Sequence, residues 1–275
     1  MTGESKGRAN QRGLFDWTIL GPYVYGQLRP LMLTDPGGNV VIMVGFEGTG
    51  AFTAGLSHKD ILNSYVPIAQ DVLESDLAYQ TLPQVVFGLG SGRGKAEGYA
   101  QELKKDVERR DPRCTCCYQR SVLIGFSYGA LTAIWVLEAL QKISTAKIDL
   151  VFLIDVVANN PWKAGEQLQV NANNYCRMVN VWQDSAKGGV VDFQGTGVAG
   201  ADVNRRFSGS EVDNGPFNPD VPLNQRKASR RHPNLPKLMA IQDMFRHELE
   251  LLKAYGTSKE RPESCGVDDV CGNCW

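Results

Sequence analysis

Ser121-Val-Leu-Ile-Gly-Phe-Ser-Tyr-Gly-Ala-Leu-Thr-Ala-Ile-Trp-Val-Leu-Glu-Ala-Leu140 carries the decisive pattern of this chain. A short apolar run, Val122 to Ile124, leads into Gly125-Phe-Ser-Tyr-Gly129, and an apolar segment with helical spacing follows at once. This is the strand, tight turn and helix of the G-x-S-x-G nucleophile elbow. Such a turn forces Ser127 into a strained backbone conformation. Flanking residues without Cβ let strand and helix approach closely enough to leave Oγ exposed. The pentapeptide alone occurs by chance in unrelated chains; the strand before it and the helix after it give it meaning.

Working outward, Asn39-Val-Val-Ile-Met-Val-Gly45 follows the turn signal Asp35-Pro-Gly-Gly38. Its apolar residues do not alternate with polar ones, which predicts a strand buried on both faces of a parallel sheet. The glycine-rich loop Gly45-Phe-Glu-Gly-Thr-Gly50 then falls at the C-terminal end of that strand, where open α/β sheets bind ligands. Residues 61–80 have near-helical spacing interrupted by Pro67, and Gln84-Val-Val-Phe-Gly88 reads as a short strand. The Walker pattern would require glycine at position 89, where Leu89 stands, and Ser or Thr at 96, where Ala96 stands. Gly88 to Lys95 is therefore read as a loop before a polar helix at 95–110, not as a nucleotide site.

Downstream, Ile148-Asp-Leu-Val-Phe-Leu-Ile-Asp155 and Tyr175-Cys-Arg-Met-Val-Asn-Val-Trp-Gln-Asp184 are further strands, each ending at an acid. Residues 185–231 are rich in Gly, Asn, Asp and Pro with no clear period, a length of irregular chain expected to be functional or disordered. Leu235 to Tyr255 is an amphipathic helix with Leu238, Ile241, Phe245, Leu249 and Leu252 on one face. The expected organisation is a polar tail at 1–20, one domain at 21–255 with 185–231 as cover, and a cysteine-bearing tail at 256–275. Strands alternating with helices make the fold class α/β, with a largely parallel sheet covered on both sides.

The chain has 275 residues, 43% of them hydrophobic, and a formal net charge of -1. No basic footprint points to nucleic acid. No stretch approaches the ~18 apolar residues of a membrane span, and the first residues lack the apolar core of a secretory signal. The expected location is cytoplasmic, or exported by a route without a recognisable signal peptide. Seven cysteines comprise Cys114, Cys116 and Cys117, then Cys176, then Cys265, Cys271 and Cys274. Free thiols are preferred over disulfides, and disulfides over zinc, since only Cys271-x-x-Cys274 has a familiar ligand spacing. No metal or cofactor is expected.

A serine hydroxyl needs a base within hydrogen-bond reach, and the chain contains three histidines: His58, His232 and His247. The order Ser, acid, His excludes His58. His247 lies among charges in the last helix, whereas His232 sits in a loop just before it, where it can reach back over the sheet edge. His232 is preferred. The acid that fixes the imidazole tautomer is Asp155 or Asp184, with Asp155 favoured.

On these residues the chain resembles the α/β-hydrolase superfamily, and within it the lipase-like and esterase-like branches, over about residues 38–253. The resemblance rests on Gly125-Phe-Ser-Tyr-Gly129, Gly45-Phe-Glu-Gly48, Leu153-Ile-Asp-Val-Val157 and His232. Leu-Ile-Asp-Val is similar to the Leu-Asp-Pro-type segment carrying the acid in pancreatic-type lipases, with Val156 in place of proline. That adds to the preference for Asp155. The resemblance implies a three-layer sandwich around a mostly parallel sheet, and an oxyanion hole from the N–H of Tyr128 and of Phe46 or Glu47. Glu47 departs from expectation, since its carboxylate would repel an oxyanion; only its backbone is expected to face the substrate. Phe193, Phe207, Phe217 and Trp162 are either apolar contacts for an acyl group or loop anchors. The implied activity is ester hydrolysis of lipase, phospholipase or esterase type on a small-molecule or lipid substrate, with peripheral membrane contact. Thioesterase or acyltransferase chemistry would use the same triad. An inactive hydrolase fold used for binding and an exported effector acting on another cell's membranes are the competing readings.

Overall fold

The β-branched apolar runs become strands because each can bury both faces. A computed structural model of the chain describes residues 41–48, 62–73, 77–82, 91–108, 110–111, 114–118, 120–157, 167–185, 193–219 and 230–257. All of them fall in the unit Leu33–Trp275. Strands β1 (Val41–Phe46) and β5 (Ser121–Phe126) are buried throughout, and β6 (Ile148–Ile154) nearly so. With β2 (Leu77–Leu82), β8 (Tyr175–Gln183) and β10 (Val203–Phe207) they form a six-stranded sheet in the order β10-β8-β6-β5-β1-β2. Every pairing in it is parallel. The short strands β3 (Arg110–Asp111) and β4 (Cys114–Tyr118) pair antiparallel, and β7 (Leu168–Gln169) and β9 (Val198–Ala199) pair parallel.

Alternation along each strand splits the interior into two apolar layers. Val41, Met43, Ile124, Phe152 and Val179 face α1 (Val66–Leu73) and α5 (Met239–Thr257). Ile42, Val44, Leu123, Val151 and Met178 face α2 (Ser91–Val107) and α3 (Tyr128–Gln141). Helix, sheet and helix make a three-layer α/β sandwich around a parallel sheet. Helix α3 is buried almost all round, which explains why its sequence is apolar with little periodicity. Leu238, Ile241, Phe245, Leu249 and Leu252 are buried together, as their spacing predicts.

Three local expectations change. The helical spacing of residues 61–80 yields a 3-10 turn, Leu62–Tyr65, and α1, and then the chain extends into β2. Pro67 does not break this helix but lies in its first turn, where its missing N–H costs nothing. The polar helix begins at Ser91, so Ser91 to Lys95 are helical, not loop. Residues 193–219, part of the segment read as irregular, carry β9, β10 and α4 (Gly209–Asn214). Strand β10 was masked in the sequence by its polar residues, because it is an edge strand with Asn204, Arg205 and Arg206 exposed. Helix α4 is started by a capping box, with Ser208 Oγ accepting from Glu211 N–H and the Glu211 carboxylate accepting from Ser208 N–H.

Cys176, on β8, is disulfide-bonded, against the expectation of free thiols. Spacing along the chain does not reveal distances in space, which decide pairing. The side chains of the other six cysteines lie outside the described residues, as do the strand expected at 84–88, His58, Trp162 and the tails at 1–20 and 258–275. No helix among the described residues is long and apolar enough to cross a membrane.

The sheet and its last helix are clamped by one ion pair. Arg177 on β8 donates from Nε and Nη2 to the two carboxylate oxygens of Glu248 on α5, at 2.9 and 3.1 Å. Glu248 is buried, with 7% of its side chain exposed, while the arginine is 36% exposed and can resolvate. Glu248→Ala is expected to cost about 1–2 kcal/mol, less than a fully buried pair would. Thermal unfolding should register it as a Tm lowered by roughly 2–8 °C.

Candidate active site

The chain runs from β1 outward to β2, then returns to place β5 on the other side of β1, and builds outward through β6, β8 and β10. The ends of β1 and β5 therefore border the point where strand order reverses, the place where open α/β sheets leave a crevice. Glu47 and Gly48 follow β1; Ser127 follows β5.

Ser127 has φ 60 and ψ -127, a conformation rare for a residue with a side chain. Its neighbours hold it there. Ser127 N–H donates to Ile154 O at 2.9 Å, and Ser127 O accepts from Ala130 N–H at 3.1 Å. A Cβ on Gly129 would collide with the carbonyl oxygens of Phe46 and Glu47, and one on Gly125 would collide with the backbone of Ala130. Gly48 lies against Ser127 itself: a Cβ there would come within 2.8 Å of the Ser127 Cβ.

Ser127 Oγ stands 2.7 Å from His232 Nε2, and His232 Nδ1 stands 2.6 Å from Asp155 Oδ2. Ser127, His232 and Asp155 are all buried. An ionised Asp155 only accepts, so Nδ1 carries the ring proton and Nε2 presents its lone pair to the serine hydroxyl. Burial pushes the Asp155 carboxyl up from its ordinary value, while the His232 ring and donors from Gln183 pull against that rise. Phe126 stacks on the imidazole at 4.9 Å and Phe193 meets it edge-on at 5.7 Å.

Asp184, the alternative acid, points elsewhere. Its Oδ2 lies 3.3 Å from Arg206 Nε on the exposed edge strand. His247 is exposed on α5. Of the expected oxyanion donors, Tyr128 follows Ser127 as the first residue of α3, and Phe46 and Glu47 stand at the end of β1 with their carbonyls against Gly129. The Glu47 side chain is turned to another use: Oε1 accepts from Leu62 N–H at 2.7 Å, at the start of the 3-10 turn Leu62–Tyr65. Of the aromatic candidates, Phe193 reaches His232, Phe207 is a core residue, and Phe217 packs against that core and bridges to Leu238.

Several residues that position the site carry no sequence motif. Tyr65 donates its hydroxyl to Pro236 O at 2.7 Å, tying the turn held by Glu47 to the loop after His232. Arg231 reaches Asp213 on α4 at 2.7 Å and Ser185 O at 2.9 Å, holding the loop before His232. Gln183 donates its backbone N–H to Asp155 Oδ1 at 3.0 Å. Gly195 packs on the same carboxylate so closely that a Cβ would strike Oδ1. Among the described residues no group of His, Cys, Asp and Glu is arranged to hold a metal ion.

No family model matches the chain, and no curated protein does. Among solved structures it is similar to the RedJ thioesterase of the prodiginine pathway in Streptomyces coelicolor, at 19% identity and a TM-score of 0.30. That likeness covers 48% of this chain and 44% of the thioesterase, so the chain spans less than half the length of that relative. It is also similar to a cutinase-like protein from Cryptococcus sp., at 14% identity, 76% and 95% coverage and a TM-score of 0.36. A third likeness is to Aspergillus fumigatus lipase B, at 9% identity, 78% and 62% coverage and a TM-score of 0.32. Likenesses this distant carry no argument about chemistry, which rests on the geometry above.

Gly195→Ala tests that geometry directly. The added methyl must displace Asp155 or its own strand connection, so a stability loss of about 1–3 kcal/mol is expected from overpacking. Proton NMR of the wild type should show a low-field His232 Nδ1–H resonance that this substitution removes. A variant that keeps the resonance unmoved would contradict the contact.

Proposed function

We propose that this chain is a serine hydrolase that cleaves a carboxylic ester through an acyl-enzyme. What supports the reading above all is the continuous hydrogen-bonded line from Ser127 Oγ through His232 to Asp155, at 2.7 and 2.6 Å, built on a serine at positive φ. In this reading His232 Nε2 takes the proton from Ser127 Oγ as the oxygen attacks the ester carbonyl carbon. Asp155 holds the ring and stabilises the imidazolium. The backbone N–H of Tyr128, with that of Phe46 or Glu47, receives the oxyanion. His232 then protonates the departing alkoxide, giving the free alcohol and an acyl-serine. Water attacks the acyl carbon, losing its proton to His232, and the acid leaves as Ser127 regains its hydroxyl proton.

The oxyanion donors are asked for a few kcal/mol, about 10²–10³ in rate for each. Glu47 Oε1 is committed to Leu62 N–H, so in this reading the residue contributes its backbone N–H and not its side chain. Lipases, phospholipases and esterases share this chemistry, and a thioesterase or acyltransferase would use the same residues. We favour an ester with an apolar acyl part, since the rings of Phe126 and Phe193 stand against His232. No cofactor enters any step.

Labelling by a fluorophosphonate probe tests the reading without a guess at the substrate, since the probe reacts with an activated serine. Wild type should label, Ser127→Ala should not, and His232→Ala should label at least about 10³-fold more slowly. A folded wild type that stays unlabelled would sink the proposal. Asp155→Asn should slow labelling by roughly 10⁴-fold through the wrong imidazole tautomer. Asp184→Asn removes a partly exposed pair with Arg206 and should leave the rate within about twofold. The reverse order would move the acid to Asp184.

A further inference from the structure

The last residue of β8, Gln183, is fully buried beside the carboxylate that holds His232. In the parallel ladder between β6 and β8, Ile154 pairs with Val181, and Asp155 N–H donates to Val181 O at 2.7 Å. The next bond of such a ladder would run from Gln183 N–H to the backbone carbonyl of Asp155. Asp155 has φ 51, and Gln183 N–H donates instead to its side-chain Oδ1 at 3.0 Å. The carboxylate has taken the place of the ladder carbonyl.

The Gln183 side chain is as fully committed as its backbone. Oε1 accepts from Ser185 N–H at 2.9 Å, which fixes which end of the amide is oxygen. Nε2 therefore faces the other way, donating to Phe193 O at 2.6 Å and, more weakly, to Asp155 Oδ2 at 3.4 Å. Oδ2 is the oxygen bound to His232, and Phe193 is the ring whose contact meets His232 edge-on. The Gln183 carbonyl accepts from Gly195 N–H at 3.0 Å, seating the glycine that packs on Oδ1. Gln183 thus touches the acid through its backbone N–H, its amide and the segment it carries.

We propose that Gln183 is the positioning residue of the Asp155–His232 pair, holding the carboxylate in line and supporting its charged form with neutral donors. The inference rests on the serine-hydrolase reading above. A neutral donor suits this place. Asp155 is buried and needs hydrogen bonds to stay ionised, yet a cation there would weaken its hold on the imidazole. The neighbouring charges are occupied: Asp184 with Arg206, and Arg231 with Asp213. His232 is the partner whose charge acts on Asp155.

The test compares wild type, Gln183→Met and Gln183→Glu by fluorophosphonate labelling rate across pH, with thermal unfolding alongside. Methionine keeps the volume and removes the side-chain donor, leaving the backbone N–H on Oδ1 in place. Glutamate keeps the shape and places an acceptor against Oδ2 and Phe193 O. With a donor removed, the coupled Asp155–His232 pair binds a proton more tightly. The acid limb of the rate profile should therefore move to higher pH, further in Gln183→Glu than in Gln183→Met. The plateau rate should fall by up to ~10²-fold from the loss of alignment. Variants that melt lower but keep the wild-type limb and plateau would overturn the proposal and leave Gln183 a packing residue. Wild-type labelling that ignores His232→Ala would overturn the hydrolase reading and this inference together, whereas dependence on His232 without dependence on Gln183 would sink the inference alone. Should neither variant fold, NMR of the wild type decides: the Gln183 side-chain amide must titrate with the labelling midpoint, and a flat trace refutes the role.

Discussion

At Gly129 the first turn of α3 lies directly against the carbonyls of Phe46 and Glu47, with no room for a side chain between them. This contact decides much else. It brings the helix that follows β5 onto the loop that follows β1, across the point where the strand order reverses. The same approach at Gly125 lets β5 turn into α3 within a single residue, and that residue is Ser127 at φ 60. A serine at a helix start would ordinarily cap it with its side chain. Here the hydroxyl makes no cap bond and is directed to His232.

The second positive φ has the same origin in a strand end. Asp155 leaves the β6 ladder at φ 51, and the hydrogen bond due to its carbonyl passes to its carboxylate. Backbone conformations of this kind cost about 1–3 kcal/mol each. They persist because each directly follows a central strand of a sheet packed on both faces, whose ladder fixes the chain up to that residue. The strain and the site occupy the same two residues, since a regular strand end would point both side chains along the pleat instead of toward His232.

Much of this was legible in the sequence. The buried strands β1, β5 and β6 announce themselves by short apolar runs, and the Gly-x-Ser-x-Gly spacing marks the turn. What was less legible follows from physics that a single chain does not display. The strand β10 is an edge with three exposed polar residues, so its sequence lacks the buried pattern. The stretch at 77–82 extends despite helical spacing, because parallel pairing with β1 overrides local preference. Asp155 and Asp184 each end a strand, and only the Leu153-Ile-Asp-Val resemblance favours Asp155 in the sequence. They separate only because β6 lies next to β5 whereas β8 lies one strand further out, leaving Asp184 to Arg206 on the edge strand. Gln183, adjacent in sequence to Asp184, donates to Asp155 instead.

His232 is the one member of the line that no strand positions, so its loop must be held by contacts on both sides. Before it, Arg231 spans from Ser185 to Asp213 and lies flat against Gly209, where a Cβ would strike the guanidinium. After it, Pro236 O accepts from Tyr65, whose turn is in turn begun by Leu62 N–H on the Glu47 carboxylate. Burial pushes the Tyr65 hydroxyl well above its ordinary value, with the Glu47 charge adding to the rise, so it remains a donor through the range in which a histidine base works. Glu47 follows β1 in the loop around Ser127 and, through Tyr65, is linked to the loop of His232. The Glu47 carboxylate is thus a strut: through Leu62 N–H and the turn that ends in Tyr65, it joins the loop after β1, beside Ser127, to the loop that carries His232.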